Sequence, residues 1–261
     1  MTATYRPRTG RIVMLALAAA VAVAVTAFTG PAGQAAVIIK PRPAPLSGYH
    51  LVDVLSGATI AGPAWNAPAS EPNGCPPDPA QISLTKAGAA EMRTSGAAGN
   101  CVEAESPHPY PTTAGYVYEV SLYDSSFKDW GGFWSYGDNW PAGGELDAVE
   151  STQGQSYVTY HYSASDAVST DPWEHALAPV GKNITTGWHI VDVAYFNKKI
   201  EVFYDGHLYV TIAGSYVSDS PAWIVFGDGS CQSATYSVCA SAADIGVAGA
   251  FQVKWVRIFR Q

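Results

Sequence analysis

Twenty-five glycines and 18 prolines cut this chain into short runs of aromatic and β-branched residues. Such punctuation leaves little room for helices and predicts strands joined by turns. The clearest runs are Tyr116–Tyr123 (YVYEVSLY), Gly144–Ser151, Tyr157–Tyr162 (YVTYHY), Ile190–Phe196, Lys199–Tyr204, Leu208–Ala213, Ala222–Phe226 and Val253–Phe259. Asp205-Gly206 separates two of them and suits the positive φ angles of a tight hairpin. Many short strands at regular spacing predict an all-β fold, a two-sheet antiparallel β-sandwich. Long sequence distances between sheet neighbours would make it a jelly roll.

The first 35 residues read as an export signal rather than as fold. Arg6, Arg8 and Arg11 precede an uncharged apolar stretch, Ile12 to Phe28, and Gly33-Gln34-Ala35 supplies small residues for cleavage. The stretch is at the short end for a membrane span, which needs roughly 17 to 25 residues. The expected product is therefore secreted and extracellular, with no membrane association after cleavage. Residues 36–48 form a proline-rich leader, and 49–261 form the domain. Losing three arginines and no acid takes the formal charge from −8 to −11, which disfavours nucleic acid as a partner. Cys75, Cys101, Cys231 and Cys239 are an even set in an exported chain, so two disulfides are expected. Three pairings are possible, and pairing of neighbours, Cys75–Cys101 and Cys231–Cys239, closes the shorter loops.

The sharpest local feature is Trp140-Pro141-Ala142-Gly143-Gly144-Glu145-Leu146-Asp147-Ala148-Val149-Glu150. On a regular strand Glu145 and Asp147 share a face while Glu150 points away. A β-bulge between Asp147 and Glu150 would bring all three acids to one surface. Clustered carboxylates resist simultaneous ionisation, which suits glycosidic cleavage: one carboxylate attacks the sugar and its partner keeps a proton for the leaving oxygen. The plainer alternative, a solvated acidic edge strand, sits poorly with Leu146, Ala148 and Val149, which supply an apolar side to bury.

The segment GGELDAVES resembles the E-x-D-x-x-E signature of glycoside hydrolase family 16, the laminarinase-like and lichenase-like β-glucanases with a concanavalin A-like jelly roll. Gly132-Phe133-Trp134 resembles the family's aromatic strand, Trp140-Pro141-Ala142 its approach to the signature, and His161-Tyr162 the following strand. Gly187-Trp188-His189 with Tyr204-Asp205-Gly206 is similar to a family hairpin, and Lys254–Phe259 to its closing strand. The resemblance implies that Glu145 is the nucleophile, Glu150 the general acid/base and Asp147 a supporting acid, acting by double displacement with retention. It also implies an endo-glycosidase of a neutral β-glucan, β-1,3- or β-1,3-1,4-linked; a polysaccharide is the expected partner and a monomer the expected state. A lectin-like carbohydrate-binding protein and a transglycosylase on the same fold are the alternatives.

Substrate binding should use aromatic faces, because sugar rings present apolar C–H surfaces to them. Trp134 and Trp140 are the expected stacking residues and His161 a further substrate contact, whereas Phe133, Trp188 and Trp255 are expected in the core. Two departures from the family stand out. An arginine that follows the glutamate of the YVYEVSLY strand in many members is missing after Glu119, so a contact to substrate or carboxylate is expected to be lost. Lys254 stands where a calcium-site acid is usual, so no calcium, other metal or cofactor is expected.

Overall fold

A computed structural model describes residues 46–65, 79–95, 101–125, 129–138, 140, 142–152, 155–162, 173–181, 187–230 and 247–261. The export signal, most of the leader, and Cys75, Cys231 and Cys239 lie outside the described residues. Cys101 is disulfide-bonded.

The described elements are almost all strands. They are β1 (His50–Ser56), β2 (Ile82–Leu84), β3 (Ala90–Arg93), β4 (Cys101–Glu105), β5 (Tyr116–Asp124), β6 (Trp130–Gly137) and β7 (Glu145–Thr152). They continue as β8 (Gln155–Tyr162), β9 (Trp173–Gly181), β10 (His189–Phe196), β11 (Lys199–Tyr204), β12 (His207–Ala213), β13 (Ala222–Gly229) and β14 (Ala250–Arg260). A four-residue helix, α1 (Gly57–Ile60), follows β1 and is capped by the Ser56 hydroxyl. Each predicted strand appears: β11 has the predicted bounds, β7 is shifted by one residue, and the others are extended by one to three residues at an end.

Two antiparallel sheets result. The larger runs β12-β11-β10-β5-β14-β3-β2, with β1 also pairing β14, and the smaller runs β4-β13-β6-β7-β8-β9. Neighbours far apart in sequence, such as β5 and β14 or β4 and β13, make the crossovers of a jelly roll. Asp205 and Gly206 turn between β11 and β12 with φ of 47° and 80°, the geometry of a two-residue hairpin loop.

Alternation along the strands builds the core. In β5, Tyr118, Val120 and Leu122 are buried in the main cluster, as are Val191 and Val193 of β10 and Val256 and Ile258 of β14. Phe133, Leu146, Val149, Val158 and Phe226 come to the same cluster from the smaller sheet. The side chains between these positions face away from the core, and on the smaller sheet that outward face carries the acids.

The outer face of the larger sheet holds Glu119, whose carboxylate meets Arg257 at 3.1 Å. β5 is thus in the sheet that does not carry the signature acids, and Glu119 and Ser121 point outward from it. The arginine missing after Glu119 therefore removes no contact from the acids' face, which corrects the expectation drawn from the sequence. Trp188 also departs from its expected core position, being 42% exposed and tilted against Tyr123.

Candidate active site

The signature lies on β7, in the middle of the smaller sheet between β6 and β8. Gly144 enters the strand with φ +80°, and a side chain there would run into the Tyr160 hydroxyl. Glu145 opposes His161 and Asp147 opposes Thr159 in β8, but Glu150 opposes Tyr157, so two residues of β7 face one of β8. The predicted bulge is present, with Ala148 as the extra residue: against β6, Asp147 pairs with Trp134 and Val149 with Phe133. Ala148 and Val149 both go to the core, each 1% exposed. Glu150 is thereby turned to the face of Asp147, where Thr159 Oγ1 donates to its Oε2 at 3.2 Å.

The three acids sit in different surroundings. Glu145 accepts the indole N–H of Trp140 at Oε2. Asp147 Oδ2 meets His161 Nε2 at 2.9 Å. Glu150 Oε1 receives Trp130 Nε1–H at 3.4 Å. Burial, reinforced by the charge of Asp147, raises the Glu150 carboxyl to about 7; its hydrogen bonds and the charge of His161 oppose that rise. For His161, burial works against the charged form, but the hydrogen bond and charge of Asp147, then Glu145 and Glu150, overcome it and raise the imidazole to about 9. At neutral pH the face therefore holds a proton on Glu150 for much of the time and a cationic His161.

Residues 79–187 match the family model described as the XgeA-like, catalytic GH16 domain. Over that stretch the chain is similar to glycoside hydrolase family 16. Its fold is shared with SCLam, a non-specific endo-β-1,3(4)-glucanase from family GH16, at 17% identity and TM-score 0.59, covering 85% of this chain and 93% of that one. The laminarinase catalytic domain from Thermotoga maritima aligns at 14% identity and TM-score 0.54, covering 82% and 98%. Bacillus licheniformis β-glucanase aligns at 16% and 0.53, covering 82% and 92%. These likenesses show a jelly-roll fold. No curated protein matches the chain by sequence.

The smaller sheet brings Glu145, Asp147, Glu150, Trp140 and His161 together on one face. Trp134 shares that face but not the expected role. It is 1% exposed, runs over Gly132 and Gly227, where any Cβ would crowd its ring, and meets Trp130 edge-on at 5.1 Å. A ring covered on both sides offers no platform to a sugar, so Trp134 is corrected from a stacking residue to a packed floor. Trp140, 37% exposed, keeps an accessible face.

Several neighbours of the acids were not singled out by sequence. Trp130 and Thr159 hold Glu150, and Tyr136, opposite Glu145 in β6, stacks on Trp223 of β13 at 5.7 Å and 20°. Alternation from Trp134 would have put Tyr136 on the right face. Thr159 is legible only once the β7–β8 register is known. Lys254 falls at the register shift between Val253 and Trp255 in β14, and its ammonium lies 5.9 Å from the Trp188 ring. Among the described residues no group of three or more His, Cys, Asp or Glu side chains could hold a metal ion.

Proposed function

We propose that this glycoside hydrolase is an exported, retaining endo-glucanase that cuts a neutral β-glucan of β-1,3 or mixed β-1,3-1,4 linkage. The observation that carries this reading is the divergence between two acids on one face. Glu150, buried and beside Asp147, is raised to about 7, while Glu145 accepts an indole N–H. A buried carboxyl that holds its proton suits the acid, and a carboxylate held by an N–H donor suits the nucleophile.

In this scheme the Glu145 carboxylate attacks the anomeric carbon as the Glu150 proton passes to the leaving glycosidic oxygen. A glycosyl-enzyme ester forms and the aglycone chain departs. Glu150, now ionised, takes a proton from water, whose oxygen attacks the same carbon and releases Glu145 with net retention. Asp147 keeps Glu150 protonated in the resting enzyme and orients His161. Trp140 stacks on a sugar ring beside the nucleophile. Structural neighbours that are a laminarinase and an endo-β-1,3(4)-glucanase support the substrate class. The cationic leader, the apolar stretch after it and the even cysteine set support export.

Laminarin, lichenan and agarose should be incubated with the protein and reducing ends measured. At least one glucan should be cut, and Glu145→Gln should abolish the activity. Unchanged activity in that variant would rule out the assigned nucleophile, and proton NMR showing inversion in the fresh product would rule out the mechanism.

A further inference from the structure

β4 is the edge strand of the smaller sheet, antiparallel to β13, with Glu105 opposite Val225 and Glu103 opposite Gly227. In β13 the same two residues oppose Trp134 and Gly132 of β6, which in turn oppose Asp147 and Glu150 of β7. Partners directly opposite in a sheet share a face. Glu105 therefore projects from the side that carries the catalytic acids, three strand spacings away, about 14 Å. That separation removes Glu105 from bond breaking but leaves it within the footprint of a polymeric substrate.

Its surroundings form a defined arrangement. Tyr136 Oη donates to Glu105 Oε2 at 2.8 Å, and the Tyr136 ring lies nearly parallel to Trp223. Tyr136 and Trp223 are both partly exposed. Glu105 itself is 8% exposed, and the phenol occupies one of about four acceptor positions of its carboxylate, which leaves acceptor capacity for a hydroxyl that reaches it beside the aromatic pair. Burial pushes the Glu105 carboxyl up and the Tyr136 bond draws it back. An aromatic face beside a fixed acceptor matches a sugar ring, whose C–H side stacks while its hydroxyls donate. A fixed carboxylate in the same place repels a sugar that carries its own anionic group.

We propose that Glu105, held by Tyr136 beside Trp223, forms a distal sugar subsite that takes neutral, hydroxyl-bearing residues and excludes carboxylated or sulfated ones. The inference rests on the glucanase reading and adds a selectivity that the catalytic acids alone do not supply.

The test compares kcat/KM on a hydroxyethyl β-glucan and a carboxymethyl β-glucan of the same backbone and degree of substitution. Measurements should cover the wild type, Glu105→Gln and Glu105→Lys. Glutamine still accepts the Tyr136 hydroxyl, so that site keeps its packing, and thermal unfolding of each variant checks the fold. The wild type should favour the neutral polymer. The preference should fall on the order of tenfold in Glu105→Gln and further in Glu105→Lys, because a like-charge contact is removed and then replaced by an attractive one. A purely structural role would lower both substrates together. A neutral-to-anionic ratio that stays constant across the three proteins, with activity retained on the neutral polymer, overturns the subsite alone. Absence of wild-type cleavage of either polymer overturns the glucanase reading and the subsite with it.

Discussion

The hydroxyl of Tyr204, at the end of β11 in the larger sheet, donates to the carbonyl oxygen of Ala148 at 3.1 Å. Ala148 is the extra residue of the bulge in β7, so this bond spans the sandwich to satisfy a carbonyl that the interrupted ladder leaves over. Unpaired buried carbonyls are costly, and the bulge that turns Glu150 outward is therefore secured from the opposite sheet. Tyr204→Phe should lower unfolding free energy by about 1–3 kcal/mol in urea titration. It should also depress kcat more than it raises KM, because Glu150 loses its fixed aim. Wild-type kcat in a destabilised Tyr204→Phe protein would show that the bulge holds without this bond.

The Glu150 carboxyl at about 7 sets the alkaline limb of the rate profile. As the proton donor it is active when protonated, so kcat/KM should fall as pH rises through about 7. Asp147→Asn removes a negative neighbour that raises Glu150, so the limb should move to lower pH. His161→Gln removes a positive neighbour that lowers it, and the limb should move to higher pH. Shifts in the same direction for both variants would contradict this electrostatic assignment.

Asp192 offers a test of stability remote from the acids. It is fully buried in β10, opposite Glu119, and neither carboxylate oxygen has a hydrogen-bond partner among the described residues. Burial, then the charges of Glu119 and Asp205, raise it to about 7, against about 3.9 in an unfolded chain. A raised carboxyl contributes its full stability below pH ~4 and loses it as pH climbs through about 7. Asp192→Asn should remove that slope, leaving the variant more stable than wild type at pH 8 by on the order of 1–3 kcal/mol. Parallel denaturation free energies from pH 5 to 8 would refute it.

Trp134 and Trp140 should separate cleanly on mutation. Trp134→Ala empties a buried ring site and should cost about 3–5 kcal/mol of stability. Trp140→Ala should leave the melting temperature nearly unchanged while raising KM and lowering kcat, since Trp140 is partly exposed and donates to Glu145. A stable Trp134→Ala protein with raised KM would restore the stacking role to Trp134.

Much was legible in the chain itself. Period-two alternation, turn residues such as Asp205-Gly206 and three acids spaced against that period determined strands, a hairpin and the need for a bulge between Asp147 and Glu150. These are local properties: a strand's alternation and a turn's φ angles depend on residues within a few positions. What only the tertiary structure decided was which groups from distant segments meet. Trp134 and Trp140 look alike six residues apart, yet Gly227, brought over Trp134 from β13, covers one of them. Glu105 comes to the acids' face, and Glu119 to the outside of the other sheet, through pairings such as Glu105 with Val225 and Glu119 with Arg257, 120 and 138 residues apart in sequence. Pairing of that range is chosen by the packing of two whole sheets, a global free-energy balance that no short window of sequence contains.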